Sequence, residues 1–376
     1  MERLSPSRVV LDSVSELKIL SQTNARYRRE ILGLKQFFAG RKCTELLLDD
    51  RTSSDNERQL QSIAHGVICL ERETRPYGET RRQIQVLKMR GVRFWDGLHD
   101  FKINTGGIEV YPRLSAAEHL TEIDQKTAES GSPQLDSLLG GGLDRGSSIL
   151  VLGPAGCGKT ALCSQYVASA LDRGEPVSYF LSEESRRTFL KRSAGLNINF
   201  APHIESGLLR LEQINPAELS PGEFAYRVRQ AVEQHATRMV VIDSLNGYIN
   251  ALPNEQFLLI HMHEVLMYLG QQGVVTLLVM AQHGMLGSSM KSPVDVSFLA
   301  DTLILLRFFK AQGEVRKAIS VLKRRQGEHE SSIREMRVTG GGLRVGEPLC
   351  DFEGVLSGIP RFRGTGDALP KQKDES

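Results

Sequence analysis

The run Ser148-Ile149-Leu150-Val151-Leu152 leads directly into Gly153-Pro154-Ala155-Gly156-Cys157-Gly158-Lys159-Thr160. The octet fits G-x-x-x-x-G-K-[ST], and its setting carries more information than the pattern. An apolar strand precedes it, and a helical segment, Lys159–Leu171, follows. Glycines let successive backbone N–H groups turn inward around a phosphate chain, and the helix N-terminus adds favourable partial positive charge. In such a loop Lys159 supplies a point charge to the β- and γ-phosphates, and the Thr160 hydroxyl ligates Mg²⁺. The competing reading is a glycine-rich turn without a ligand. The Lys-Thr pair and the strand–helix context speak against it. Cys157 reads as a small residue that the loop tolerates rather than as a redox switch.

Further apolar runs lie downstream at Val177–Leu181, Met239–Ile242 and Val274–Met280. Runs this apolar suit parallel strands covered on both faces. Helical patterns separate them. Ser220-Pro221-Gly222-Glu223 has capping-box spacing with proline at the first helical position, and Phe224, Val228 and Val232 recur every four residues. The expected class is α/β, a mainly parallel sheet flanked by helices, with an antiparallel extension after Ala300. Asp243 ends its apolar run, where a carboxylate can hold Mg²⁺, usually through water. Glu183 and Glu184 follow another strand end, where a water-activating carboxylate belongs. A solvated acidic start to the next helix is the alternative. Glu183 is taken as the base.

The chain also repeats itself. Gly78–Val110 aligns on Gly313–Val345 without a gap, at a constant offset of 235 residues. Lys88 falls on Lys323 and Arg90 on Arg325. With one residue of slip, Ala64–Leu70 reads like Ala300–Leu306, and Arg8–Ser13 resembles Met239–Ser244. This period is the length of a domain. Residues 1–117 are expected to be the C-terminal part of a first domain without a phosphate loop. Residues 118–130 read as a linker, 131–362 as a complete second domain, and 363–376 as a disordered tail. Nothing equivalent to Gly131–Met239 occurs in the first copy, which suggests a misplaced start or a natural truncation. Within that copy, Ile31, Leu34 and Phe38 predict a helix stopped by Gly40, with a strand over Cys43–Leu48.

Composition excludes several classes. The 376 residues are 40% hydrophobic and 24% charged, as in ordinary globular proteins and unlike collagens or disordered tails. No stretch of about 18 apolar residues predicts a membrane span, and Met1–Val10 lacks the apolar core of a signal peptide. Lys and Arg number 47 against 45 for Asp and Glu, too balanced for a general nucleic-acid coat. Five scattered cysteines without metal-ligand spacing predict reduced thiols in a cytoplasmic protein. His261 and His263, two apart on a predicted helix, point in different directions and make a poor metal pair.

Gly131-Ser132-Pro133-Gln134-Leu135-Asp136, Gly140-Gly141-Gly142-Leu143, the phosphate loop, Ser182-Glu183-Glu184-Ser185 and Ile242-Asp243-Ser244 together resemble the RecA superfamily of P-loop NTPases. Ala300–Leu306, Gly313-Glu314 and Val321–Arg325, with the tandem repeat, are most similar to the KaiC-type double-domain ATPases. The likeness spans about residues 8–360. It implies binding and hydrolysis of ATP with Mg²⁺ at the subunit interfaces of a homo-oligomer, a hexameric ring, in a signalling or timing role. It implies that Lys323 and Arg325 reach the neighbour's γ-phosphate, as cations supplied in trans. A solvated basic strand edge is the alternative. Gln282 occupies the place of a phosphate sensor. The clock protein of this family autophosphorylates an adjacent Ser-Thr pair. Ser297 and Phe298 stand there, leaving one phosphoacceptor for a Ser/Thr autokinase. A DNA recombination or repair module and a nucleotide-gated scaffold are further alternatives. The loop His283–Val296 carries only Lys291 and no aromatic residue, poor equipment for single-stranded DNA.

Overall fold

In the computed structural model of the chain, the apolar runs of the second repeat lie side by side as parallel strands buried on both faces. Placement is described for residues 6–50, 57–74, 78–115, 126–250, 255–282, 297–311, 313–355 and 361–362. Most of the expected linker, the loop His283–Val296 and the tail 363–376 lie outside these residues. The chain divides into two compact units, Met1–Arg72 with Arg82–His99, and Glu73–Arg81 with Asp100–Ser376.

The second unit is built on a sheet of nine strands among the described residues. In chain order these are β1 (Ser148–Gly153), β2 (Val177–Leu181), β3 (Leu209–Gln213), β4 (Met239–Asp243), β5 (Val275–Ala281), β6 (Thr302–Ala311), β7 (Glu314–Arg324), β8 (Arg334–Thr339) and β9 (Gly342–Pro348). Their order across the sheet is β3-β2-β4-β5-β1-β6-β7-β8-β9. All pairings from β3 to β6 are parallel. The antiparallel extension therefore begins one strand later than expected. The start of β6 is buried and pairs parallel with β1, Thr302 opposite Ile149, and only β7, β8 and β9 fold back as hairpins.

Alternate residues of each central strand enter opposite cores. Val151, Val241 and Leu277 pack with Leu162, Tyr166 and Val167 of the helix Lys159–Asp172. Leu150, Ile242 and Leu278 pack with Phe224 and Val228 of the helix Pro221–His235 and with Met262 and Val265 of the helix Glu255–Gln271. Register aligns the carboxyl ends of the strands. Leu181 lies opposite Asp243, Asp243 opposite Val279, and Ala281 opposite Gly153. The loop strand β1 has neighbours reached by different crossovers on its two sides, the kind of place where open α/β sheets bind ligands.

The helix Pro221–His235 starts as its sequence predicts, with the Ser220 hydroxyl accepting from the Glu223 N–H at 3.2 Å. The capping box closes on that side. Glu223 turns its carboxylate to Lys102 and Arg227 instead. A second acceptor serves the same helix end, because Asp100 accepts from the Gly222 N–H at 2.8 Å and from Arg81 at 2.8 Å. A β-carbon on Gly222 would lie 2.9 Å from the Asp100 side chain. Asp100 belongs to the hairpin His99–Asn104 and Gly107–Tyr111, which is first-repeat sequence.

In the first unit, the strand Arg8–Asp12 pairs parallel with Thr44–Leu48. Val14, Tyr27, Ile31 and Ile63 form a small core under the helices Val14–Ser21, Asn24–Ala39 and Glu57–Ile63. Gly40 does end its helix, in a right-handed conformation with φ −87°. Left-handed geometry falls two residues later, on Lys42 at φ 47°.

Candidate functional site

The loop after β1 is held by packing. A β-carbon at Gly153 would lie 2.5 Å from the Leu306 carbonyl oxygen and 2.7 Å from Cys157 Sγ. Gly158 has φ 110°, and a β-carbon there would meet Met336 at 2.9 Å. Gly153 is therefore required by its close approach to backbone and Gly158 by its left-handed φ, and Pro154, Ala155, Gly156 and Cys157 span between them. Cys157 is fully buried, and burial pushes its thiol up against the opposing pull of Lys159. It stays a thiol and acts as packing. Lys159 is 8% exposed and curls over the loop, donating to the Gly153 carbonyl at 2.9 Å and the Pro154 carbonyl at 2.8 Å. Its ammonium thus sits inside the ring of loop backbone, where an anion would meet it.

Asp243 ends β4 beside the loop. One of its oxygens, Oδ2, accepts from Thr160 Oγ1 at 2.7 Å and from the Tyr179 hydroxyl at 2.9 Å. Burial raises the Asp243 carboxyl above its ordinary range, and the hydrogen bonds from Thr160 and Tyr179 work against that shift. Thr160 and Asp243, named separately in the sequence, are in direct contact. Tyr179 was not singled out, although a hydroxyl-bearing ring in a mostly apolar strand was a readable signal. Its place next to Asp243 follows from the pairing of β2 with β4, Tyr179 opposite Val241.

Glu183 and Glu184 follow β2 and precede the helix Arg186–Ala194, whose N-cap is Ser185 with its hydroxyl accepting from the Thr188 N–H at 3.1 Å. Neither glutamate lies in the first helical turn, and Glu183 is exposed just ahead of it. Glu183 accepts a hydrogen bond from the Ser244 hydroxyl, next to Asp243. The Ser182 hydroxyl ties this corner together, accepting from the Ser244 N–H at 2.9 Å and donating to the Ser244 carbonyl at 2.8 Å. Glu184 pairs with Arg192. Burial raises its carboxyl, and Arg192 opposes the shift. Arg192 was not anticipated, because only the fold brings it back to the strand end.

Gln282 follows β5, and its N–H donates to the Gly153 carbonyl at 3.1 Å. Its side-chain oxygen is buried without a hydrogen-bond partner among the described residues. Asn246 fixes the neighbouring residue from both sides, donating to the Ala281 carbonyl at 3.1 Å and accepting from its N–H at 2.6 Å. The polar groups around Gly153–Thr160, Asp243 and Glu183 thus converge on one end of the sheet. A basic loop with a hydroxyl and a carboxylate beside it suits a polyphosphate and a hard divalent cation.

Lys323 and Arg325 are elsewhere. Lys323 donates to the carbonyls of Ser297 at 2.9 Å and Ala300 at 2.8 Å. Arg325 donates to the Phe298 carbonyl at 3.0 Å and pairs with Asp301 at 3.3 Å. The other oxygen of Asp301 accepts from the Ser148 N–H at 2.9 Å, at the opposite end of β1 from the loop. At about 3.3 Å per strand residue, that end lies roughly 17 Å from Gly153. In the first repeat the corresponding pair behaves alike. Lys88 donates to the Gln61 carbonyl at 2.6 Å and Arg90 to the Ser62 carbonyl at 3.1 Å. Gln61 and Ser62 are the repeat partners of Ser297 and Phe298.

Comparison with known proteins agrees with this architecture. The family model described as "ATPase: KaiC" matches residues 1–115 and 128–349. The "Circadian clock protein KaiC3" of Synechocystis is 26% identical over 372 residues, covering 96% of this chain and 72% of that protein. The "Circadian clock oscillator protein KaiC" of Parasynechococcus marenigrum is 26% identical over 367 residues, 96% of this chain and 70% of its own length. The protein of the same name from Prochlorococcus marinus is 30% identical over 285 residues, 74% of this chain and 56% of its own length.

Proposed function

The chain belongs to the KaiC ATPase family, and from that premise we propose that its second unit binds and hydrolyses ATP with Mg²⁺ at the interfaces of a homo-oligomeric ring. The observation that carries the reading is the joining of Lys159, Thr160 and Asp243 at the loop, with Glu183 one hydrogen bond away through Ser244. Loop N–H groups and Lys159 hold the β- and γ-phosphates, for which Lys159 exchanges its two carbonyl partners. Thr160 and Asp243 hold Mg²⁺, which neutralises phosphate charge when bound. Glu183 orients the attacking water and takes its proton. Gln282, whose buried oxygen has no partner among the described residues, reads the γ-phosphate. Lys323 and Arg325 serve the next subunit's phosphates, since about 17 Å separates their end of the sheet from their own loop. The names of the relatives favour a timing or signalling role, and a cytoplasmic location suits a chain whose described helices are none of them long and apolar enough to cross a membrane.

A second reading, Ser/Thr autokinase activity, is supported by one contact. Lys323 holds the backbone of Ser297, so a pair facing a neighbour's γ-phosphate carries Ser297 with it. The test of the main reading is ATP affinity and phosphate release for the chain and for Lys159→Ala. We expect binding to fall by orders of magnitude with the fold intact. Affinity within a few-fold of the parent overturns the assignment. Intact mass after incubation with ATP separates the autokinase.

A further inference from the structure

Arg324 stands between Lys323 and Arg325 and turns the other way. Along β7, Val321 lies opposite Ile304 and Lys323 opposite Leu303, so Leu322 is an extra residue, a β-bulge. Residues two apart on a regular strand share a face. Val321 and Lys323 do not. Ile304 and Val321 belong to the core beside the helix Lys159–Asp172, whereas Leu303 belongs to the core on the opposite side of the sheet. The bulge thus moves Lys323 across the sheet, toward the carbonyls of Ser297 and Ala300. It leaves Arg324 on the face that Val321 occupies.

The Arg324 side chain is 5% exposed. Its Nη2 donates to both oxygens of Asp144, at 2.9 Å each, and its Nη1 to the Glu328 carbonyl at 3.3 Å. Asp144 is itself held at the entry to β1, where its carbonyl accepts from the Ser147 N–H at 3.2 Å and the Ser147 hydroxyl at 2.6 Å. The turn after β7 closes on the same guanidinium. A β-carbon on Gly140, whose φ is +64°, would lie 2.2 Å from the Glu328 carbonyl oxygen and 3.1 Å from Arg324 Nη1. Residues 324–328 are therefore clamped against the residues that lead into β1.

Two observations separate this clamp from ordinary stabilisation. An enclosed ion pair contributes little net stability, because desolvation offsets the attraction. The first repeat has Met89 at the position of Arg324, yet Lys88 and Arg90 still serve the carbonyls of Gln61 and Ser62. Capping those carbonyls needs no arginine between the two cations. The arginine accompanies the repeat that carries the phosphate loop.

We propose that Arg324, anchored on Asp144, is a positioning residue for hydrolysis, fixing the end of β7 so that Lys323 and Arg325 are presented to the next subunit's γ-phosphate. This rests on the trans-acting role proposed above for that pair.

The double variant Asp144→Leu, Arg324→Met tests it, since a buried ion pair exchanged for apolar side chains of similar volume leaves stability nearly unchanged. It is expected to melt close to the parent and to bind ATP with parental affinity, while kcat falls roughly 10–100-fold. Amides of residues 325–328 are expected to exchange roughly tenfold faster. Mixed with Lys159→Ala, the double variant recovers activity through its intact loop. Mixed with Arg325→Ala it recovers none, because neither partner presents a working pair. A general loss of structure does not give the first result. Should the double variant not fold, Asp144→Asn, which keeps an oxygen for the arginine and loses the charge, carries the same tests with smaller effects. Unchanged exchange at residues 325–328 overturns the proposal. So does full turnover of the double variant beside an inactive Arg325→Ala, or failure to recover with Lys159→Ala where Arg325→Ala does recover. Full turnover of Arg325→Ala itself removes the pair from the chemistry, and the proposal falls with that reading.

Discussion

At Asp243, burial and proposed function act in opposite directions. Its carboxyl is raised chiefly by burial, so the ionised form destabilises the folded protein, although Thr160 and Tyr179 both donate to it. Below the ordinary Asp value of 3.8 the group is protonated whether folded or not, and the penalty is absent. As pH rises through the raised folded value, stability is lost. Asn keeps an oxygen for both hydroxyls and removes the charge. We therefore expect Asp243→Asn, without nucleotide, to melt higher than the parent at pH 8, with the gain shrinking to nothing as pH falls toward 4. The same variant should lose the extra thermal stabilisation that Mg²⁺ adds to ATP. A lower melting temperature at pH 8 contradicts the burial argument. Glu183→Gln is expected to retain ATP affinity and to slow phosphate release by roughly 10²–10⁴-fold. Unchanged turnover moves the base to Glu184, which Arg192 now holds. Thr160 was legible from the glycine-rich octet, and Asp243 and both glutamates because each ends or follows an apolar run. The Tyr179 hydroxyl was visible, but its place beside Asp243 depends on which strands become neighbours, and Arg192 reaches Glu184 only through the placement of the helix Arg186–Ala194.

Among the elements, the strands that carry the site were plain in the sequence. Each is a nearly continuous apolar run, broken only by small hydroxyl residues such as Ser178 and Thr276, and two-sided burial demands that pattern. The parallel start of β6 was not legible, since a strand buried beside β1 has the same composition whichever way it runs. The basic pair on β7 and its continuation was read from the family likeness, as cations for a neighbour's phosphate. Its local work is to satisfy carbonyls where the chain enters β6, and the first repeat does the same with Lys88 and Arg90. The two cations do this unequally. Lys323 is partly buried and serves two carbonyls, while Arg325 is 53% exposed. Lys323→Met, which keeps the aliphatic stem, should cost about 1–3 kcal/mol by leaving acceptors unpaired. Arg325→Ala should cost less than about 1 kcal/mol. Urea denaturation of the two variants measures the difference. Equal losses would mean that the exposed guanidinium is as structural as the lysine.

At the scale of the whole molecule, the separation of loop and basic pair sets the assembly question. Both lie on one sheet, but the loop follows the carboxyl end of β1 and the pair sits near its amino end, roughly 17 Å away. If Arg325 acts on a phosphoryl group, that group belongs to another subunit. The contact is then head-to-tail, and it closes into the proposed ring where the rotation between subunits allows it. Arg325→Ala is expected to bind ATP normally through its own loop and to release almost no phosphate. Lys159→Ala fails for the opposite reason, keeping its basic pair while losing the loop. Mixed under conditions of subunit exchange, the two should recover activity wherever an intact loop meets an intact pair, about one interface in four in a random ring. Recovery near that fraction, rising and falling with the mixing ratio, is the mark of a trans-acting cation. Exchange without recovery shows that the pair acts only locally or that every site must fire together. Full activity of Arg325→Ala alone assigns Arg325 to the turn that it caps and removes it from the chemistry.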